Sequence, residues 1–150
     1  RYAKVVEKAI DYAKSKGVAV FYITNRREKY RQPTLQNLNK IGLAPKSENH
    51  LLLRKEESSK ESRRKEVMNG HEIVMLFGDN MADFSSVFDG QHDPEKRAQV
   101  VKDLKAEFGN RFIVFPNAMY GEWLNALIDY DFSLSPQEQT NLIKTRLEGF

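Results

Sequence analysis

The chain contains an unbroken apolar run that leads directly into polar residues: Val18-Ala19-Val20-Phe21-Tyr22-Ile23, then Thr24-Asn25-Arg26. A continuous apolar run of this length is typical of a strand covered on both faces, as in a parallel sheet. The preceding residues 2–16 place apolar side chains on one helical face and end at Gly17, which predicts a helix. A helix followed by a buried strand is the repeating element of an α/β fold.

The same alternation continues through the rest of the 150 residues. Short apolar runs predict three more strands, at 51–53, 73–77 and 112–115. Helix signals predict four more helices, at 32–41, at 58–69, from Asp93-Pro94 to before Gly109, and from a capping box at Ser135 to about Leu147. We therefore expect residues 1–150 to belong to a single α/β domain, with a Rossmann-like parallel sheet and helices on both faces.

Composition and charge exclude several classes of protein. The chain has no Cys, which excludes a disulfide scaffold, a cysteine-ligated zinc module and a thiol enzyme. No apolar run approaches the roughly 18 to 20 residues that a membrane helix requires, so we expect no membrane contact from this segment. Lys and Arg together number 24, against 21 Asp and Glu. The densest basic segment, 54–66, also carries four acidic residues, so we expect a solvated helix face there and no nucleic-acid partner.

Polar side chains that could bind phosphate and a cation follow three of the predicted strands. Thr24 follows the first strand, Lys60 comes shortly after the second, and Asp79 and Asp83 follow the third. Open α/β sheets bind ligands at the carboxyl ends of their strands. A hydroxyl can donate to a phosphoryl oxygen, a lysine can offset its charge, and carboxylates suit Mg²⁺. Taken singly, each residue has a simpler interpretation, as a turn residue, a solvated lysine or a helix cap.

Four sequence blocks carry a resemblance to a known family: Val20-Phe21-Tyr22-Ile23-Thr24-Asn25-Arg26, Ser58-Ser59-Lys60-Glu61-Ser62-Arg63, Phe77-Gly78-Asp79-Asn80-Met81-Ala82-Asp83-Phe84 and Phe115-Pro116-Asn117-Ala118-Met119-Tyr120-Gly121-Glu122-Trp123. In order and spacing they resemble the class C bacterial acid phosphatases, also called the lipoprotein 5′-nucleotidase family, of the haloacid dehalogenase superfamily. The resemblance runs from about Lys4 to the C-terminus. It implies a haloacid dehalogenase-like fold and a Mg²⁺-dependent hydrolysis of phosphomonoesters, including nucleoside monophosphates, through an aspartyl-phosphate intermediate.

The resemblance also implies roles for four of these side chains. Thr24 is then the phosphate-binding hydroxyl and Lys60 the lysine that faces the phosphate, and both are catalytic. Asp79 is then the metal-binding acid, and Asp83 supports it at the metal site.

Three further residues are implied to contact the substrate. Asn25 and Arg26 are expected near the phosphate, and Tyr120 is expected to stack on a nucleoside base. Aromatic residues three apart at a helix start also commonly pack in the core. For Tyr120 and Trp123 that alternative stays open.

One part of the superfamily's machinery is not found in this sequence. Phosphatases of the superfamily carry an Asp-x-Asp pair at the end of the central strand, where one carboxylate attacks phosphorus and the other protonates the leaving group. The acidic residues ahead of Thr24 are only Glu7 and Asp11, both on the opening helix. The sequence Asp129-Tyr130-Asp131 imitates the pair, but it follows a segment of helical period, and we interpret it as a loop.

We therefore expect this chain to be the C-terminal part of the phosphatase domain, inactive alone, with the nucleophile upstream of Arg1. A parallel sheet without its middle strand exposes two edges, so an upstream segment or a second chain is expected to supply that strand. The alternative is a non-catalytic relative that binds a phosphorylated ligand or a protein partner. The resemblance also implies an extracytoplasmic, lipid-anchored full-length protein.

Overall fold

The computed structural model describes residues 2–90 and 93–147, which form two compact units, Arg1–Glu72 and Ile73–Phe150. Both units combine helices with parallel strands, which confirms the α/β class. Within the described ranges, no helix is both long and apolar enough to cross a membrane.

From residue 2 onward, the first unit contains one two-stranded parallel sheet, three α-helices and two short 3-10 helices. Its elements in chain order are α1 (Tyr2–Ser15), β1 (Tyr22–Arg27), α2 (Arg31–Lys40), β2 (Leu51–Arg54) and α3 (Glu61–Met68). β1 pairs with β2, with Tyr22 opposite Leu51 and Ile23 opposite Leu52. The three leucines of β2 are 2%, 8% and 2% exposed, as the apolar run predicted.

Strand β1 lies four residues further along the chain than the apolar run predicted. It begins at Tyr22, because its partner β2 begins opposite at Leu51 and no strand among the described residues pairs with the residues before Tyr22. Val18 is 40% exposed, so the expected cover on both faces was wrong for the start of the run. The Phe21 ring instead stacks on His50, with 4.3 Å between ring centroids.

Two other expectations for the first unit need correction. The helix predicted at 58–69 begins only at Glu61. The segment 54–66 is not simply a solvated face, because Arg63 and Arg64 are 7% and 4% exposed. Both charges can be buried because each guanidinium donates hydrogen bonds to oxygen atoms of the same unit. The helix predicted at 32–41 is α2, which ends at Lys40, and the next residue, Ile41, is exposed.

The second unit also contains one two-stranded parallel sheet with helices. Its elements are β3 (Leu76–Gly78), α4 (Pro94–Asp103), β4 (Phe112–Val114), α5 (Glu122–Leu127) and α6 (Pro136–Arg146). β3 pairs with β4 in continuous register, from Leu76 opposite Phe112 to Gly78 opposite Val114. β3 is shorter than the predicted 73–77, and Val74 is exposed.

The N-terminal helix signals of the second unit act as their chemistry predicts, whereas the predicted stop at Gly109 was wrong, because α4 already ends at Asp103. The Asp93 carboxylate accepts the backbone N–H groups of Glu95 and Lys96 at the start of α4. Ser135 and Glu138 form the predicted capping box at the start of α6. The core of this unit includes Phe84 and Phe88, which are 3% and 0% exposed.

Candidate active site

The first cluster of site residues lies where β1 approaches the N-terminus of α3. We call it the β1–α3 cluster, and it consists of Thr24, Asn25, Arg63 and the turn 58–60. Thr24 and Asn25 lie within β1 and not beyond it, which corrects the predicted position. The Thr24 hydroxyl oxygen accepts the backbone N–H of Arg26 at 3.2 Å, and this bond does not use the hydroxyl's own hydrogen.

Arg63 joins the parts of this cluster. Its guanidinium donates to the carbonyl oxygen of Thr24 at 2.5 Å and to the amide oxygen of Asn25 at 2.7 Å. It also donates to the carbonyl oxygens of Ser59 at 2.8 Å and Ser58 at 3.3 Å. All four acceptors are neutral. Burial lowers the pKa of the Arg63 guanidinium, which nevertheless stays protonated because an arginine pKa is so high.

Lys60 occupies the N-cap position of α3 and is half-buried. Its carbonyl oxygen accepts the backbone N–H of Arg64 at 2.9 Å, the first hydrogen bond of the helix. The side chain of Ser59 accepts the backbone N–H of Glu61 at 3.2 Å. Lys60 therefore lies between two residues whose positions are fixed by hydrogen bonds. Arg26, by contrast, is exposed on β1.

The second cluster lies at the carboxyl ends of β3 and β4. We call it the β3–β4 cluster, and it consists of Asp79, Asn80, Asp83 and Asn117. The Asp83 carboxylate accepts the backbone N–H groups of Asp79 and Asn80, each at 3.1 Å. These two bonds fold the loop after β3 back on itself and fix the backbone of Asp79.

The Asp79 carboxylate is oriented by two side-chain amides. Asn80 donates to one of its oxygens at 3.2 Å and Asn117 donates to the other at 3.0 Å. The amide oxygen of Asn117 accepts the backbone N–H groups of Met119 and Tyr120, at 3.0 and 3.3 Å. Asn117 therefore connects the acid after β3 to the loop after β4.

The donor set of the β3–β4 cluster fits the role of a partial Mg²⁺ site. Each Asp79 oxygen accepts one amide N–H, which leaves about two of the carboxylate's four lone-pair directions available to a cation. One Asp83 oxygen already accepts two backbone N–H groups, so Asp83 acts mainly by holding the loop. Among residues 2–90 and 93–147, no three His, Cys, Asp or Glu side chains gather as a complete metal site. Mg²⁺ commonly uses one or two carboxylates, with water and phosphate oxygens completing its shell.

Two glycines allow this cluster to close. A Cβ atom at Gly78 would lie 2.5 Å from the Cβ and 2.7 Å from a carboxylate oxygen of Asp83. Gly121 has φ of +134°, and a Cβ atom there would collide with the amide oxygen of Asn80. Neither position tolerates a side chain without displacing the cluster.

Tyr120 lies in the loop between β4 and α5 and is 62% exposed. The core-packing alternative is therefore wrong for Tyr120 within its unit. Trp123 is half-buried, and its indole N–H donates to the Tyr120 carbonyl oxygen at 3.1 Å. The indole thus supports the loop that presents Tyr120, whose stacking on a base stays a prediction.

The imitation of an Asp-x-Asp pair lies in a turn, as expected. Asp129 follows α5 and forms a two-bond ion pair with Arg146, at 2.7 and 2.6 Å, which lowers the Asp129 pKa. Asp131 accepts the hydroxyl and the backbone N–H of Ser133, and these bonds lower its pKa. Both carboxylates are engaged in local structure.

Each unit gathers its own share of the predicted residues. Arg63 holds Thr24, Asn25 and the Lys60 turn together in the first unit, and the second unit gathers Asp79 with Asp83. Arg63, Asn80 and Asn117 were not predicted as site residues. Asn117 carried a usable signal, because it is a polar residue just beyond a buried strand. Arg63 ends one of the four quoted blocks, but among so many charged neighbours nothing indicated that it is buried.

The β3–β4 cluster lies at the carboxyl ends of parallel strands, which is where α/β proteins bind ligands. Residues 1–123 match the model of the acid phosphatases of subfamily IIIB of the haloacid dehalogenase superfamily, and the chain belongs to this family.

Two solved structures of this kind resemble the chain closely. One is the class C acid phosphatase from Bacillus anthracis, with a TM-score of 0.83 and 42% identity over 93% of this chain. A second structure of the class C acid phosphatase from Bacillus anthracis, with tungstate bound, gives a TM-score of 0.83 and 44% identity, again over 93% of this chain. The chain spans 58% and 59% of the lengths of these two proteins.

Proposed function

We propose that this chain is the C-terminal part of a Mg²⁺-dependent acid phosphatase that hydrolyses phosphomonoesters, including nucleoside monophosphates. The observation that carries the proposal is the pair of polar clusters, β1–α3 and β3–β4, in a member of the acid phosphatase family. Tungstate binds a protein 44% identical to this chain, and it is a tetrahedral oxyanion of the same kind as phosphate. Support from that relative concerns the class of ligand and not a particular substrate.

Each side chain has a role in this proposal. The Thr24 hydroxyl donates to a phosphoryl oxygen, and the Lys60 ammonium offsets the charge that grows on the phosphoryl group. Asn25 and Arg26 lie beside the phosphate. Asp79 would hold Mg²⁺, which would supply positive charge to neutralise the phosphoryl oxygens.

The covalent chemistry requires an Asp-x-Asp pair, which we place upstream of Arg1. One carboxylate attacks phosphorus, the bond from phosphorus to the ester oxygen breaks, and the second carboxylic acid gives its proton to the leaving alcohol. Water then hydrolyses the aspartyl phosphate to free phosphate and regenerates the carboxylate. The same upstream segment, or a second chain, would supply the missing strand. Tyr120 would bind the base of a nucleotide substrate.

The test uses the full-length gene product with a chromogenic phosphate ester, in Mg²⁺ and in EDTA. We expect turnover in Mg²⁺ and its loss in EDTA. Asp131→Asn is the matched control and should leave turnover unchanged, because Asp131 lies in a solvated turn. Loss of turnover in this variant would make Asp131 the acting carboxylate and would contradict our assignment.

The same assay separates this proposal from its alternative. A protein that binds inorganic phosphate or tungstate, but shows no turnover in Mg²⁺, would be the non-catalytic relative. We also propose an extracytoplasmic location, which protease treatment of intact cells tests. Resistance of the protein in intact cells, with digestion after lysis, would contradict that location.

A further inference from the structure

Arg63 is a buried cation whose hydrogen-bond acceptors come from two separate parts of the chain. Thr24 and Asn25 belong to β1, whereas Ser58 and Ser59 precede α3, and the first pair lies 39 and 38 residues away from Arg63. The side chain is 7% exposed. A guanidinium presents up to five N–H donors in one plane, so it can serve acceptors on both segments at once.

Packing alone does not explain an arginine at this position. Burying a charge costs free energy unless the charge is paired or well hydrogen-bonded, and an apolar side chain would fill the space at lower cost. The neighbouring Arg64 is also buried but forms its ion pair within α3, with Glu61 at 2.7 Å. Arg63 instead directs its donors to β1. In these contacts Arg64 bonds within its own helix, whereas Arg63 bonds to a separate strand.

The segments that Arg63 joins carry the two residues to which we assign catalysis. Its bond to Thr24 is to the backbone carbonyl and leaves the hydroxyl free of Arg63. Its bond to the Ser59 carbonyl fixes the residue immediately before Lys60. The backbone of Thr24 and the backbone next to Lys60 are therefore both bonded to the same rigid guanidinium.

We propose that Arg63 is a positioning residue that holds Thr24 and Lys60 in register with each other for the same phosphoryl group. This inference rests on the proposed function, in which both residues act on the substrate phosphate. Arg63 itself touches neither substrate nor metal in this role. Its importance lies in the forked geometry of the guanidinium and not only in its positive charge.

The test compares Arg63→Lys and Arg63→Gln in the full-length protein. Lysine keeps the charge but has one compact ammonium in place of the fork. If positioning is the role, both variants lose kcat, by about 10- to 100-fold, because small displacements of catalytic groups cost rates of this size. KM for the phosphate ester should change by less, about threefold. A normal kcat in Arg63→Lys would overturn the proposal, since charge alone would then suffice.

Arg64→Gln is the matched control for the loss of a buried arginine on the same helix. It should lower the melting temperature and leave kcat and KM unchanged. If Arg64→Gln reduces kcat as much as Arg63→Gln does, Arg63 has only a general structural role and the proposal fails.

Hydrogen–deuterium exchange gives a readout that does not depend on turnover. Arg63→Lys and Arg63→Gln should speed exchange at 24–26 and 58–61 relative to Arg64→Gln. Unchanged exchange at both segments would overturn the proposal even if the wild-type protein had no activity. Absence of wild-type turnover with altered exchange would instead contradict the proposed function and support the link made by Arg63.

Discussion

The β1–α3 and β3–β4 clusters are organised by groups of opposite charge. In the first, one buried guanidinium donates to neutral oxygens on two segments, whereas in the second a carboxylate accepts the N–H groups that fold its loop. Both ions hold backbone: Arg63 fixes the segments of Thr24 and Lys60, and Asp83 fixes the backbone of Asp79. In our proposal the ligand meets the side chains that are held, a hydroxyl and an ammonium in the first cluster and a carboxylate in the second.

The two clusters also differ in how they depend on backbone shape. The β3–β4 cluster needs glycine at positions 78 and 121, because Cβ atoms there would occupy space used by Asp83 and Asn80. In the β1–α3 cluster, the long side chain of Arg63 extends to its acceptors. Close backbone approach therefore holds the β3–β4 cluster together, whereas in the β1–α3 cluster a long guanidinium joins two separate segments.

The largest effect should follow from removing the charge of Asp79, the carboxylate that we propose binds the metal. Asp79→Asn replaces the oriented carboxylate with a neutral amide, so Mg²⁺ should activate the full-length enzyme about 100-fold less or worse. Mg²⁺ titration of turnover measures this effect, with Asp131→Asn as the control. A normal Mg²⁺ response in Asp79→Asn would remove Asp79 from the metal site and end the contrast between the clusters.

A smaller effect is expected when the support of that carboxylate is removed. Asn117→Ala deletes one donor to Asp79 and the acceptor for the Tyr120 backbone N–H. Loss of a partner that orients a metal ligand commonly weakens metal binding by about 10- to 100-fold. The Mg²⁺ concentration for half-maximal activity measures this weakening of metal binding. Asn110→Ala, which removes only an exposed bond to the Ala106 carbonyl, should not change that concentration.

The requirement for close backbone approach can be tested by stability. Gly121→Ala should destabilise the protein by about 1 to 3 kcal/mol, because the new Cβ meets Asn80 and the positive φ is strained for alanine. Chemical denaturation measures the difference. Gly70→Ala is the control, since no atom lies within 4 Å of a Cβ there. Equal effects of the two substitutions would contradict the steric argument.

The smallest effect concerns Tyr130, which follows α5 in the same unit as the β3–β4 cluster. Burial and a hydrogen bond to the Glu122 carboxylate raise the pKa of Tyr130 from 10.0 to about 12. Its contribution to stability is therefore full below pH 10.0 and is lost as the pH rises towards 12. Across this pH range, the melting temperature of the wild type should fall further than that of Tyr130→Phe. Parallel melting curves for the two proteins would show that the Tyr130 proton does not contribute.

Local sequence patterns predicted the elements and their caps better than they predicted the strand bounds. Asp93 and Ser135 cap their helices as their positions indicated, because capping uses bonds within one turn. β1 was misplaced because its start depends on Leu51 of another strand. Strand bounds are properties of a pair, and periodicity describes only one member.

The candidate site was predicted in part for the same reason. Thr24, Lys60, Asp79 and Asp83 were found because each comes near the end of a strand in a recognisable block. Arg63 and Asn117 were missed because their partners lie 39 and 38 residues away. The charge of Arg63 also resembled that of the exposed residues around it.

The amino-acid sequence by itself determined the α/β class, the order of helices and strands, and the family resemblance, because periodicity, caps and motif blocks are local. The tertiary structure decided which charges are buried and which side chains orient the candidate catalytic and metal-binding groups. Such contacts arise when strands and helices distant in the chain pack together, and the free energy of burying an arginine then depends on acceptors supplied by another segment.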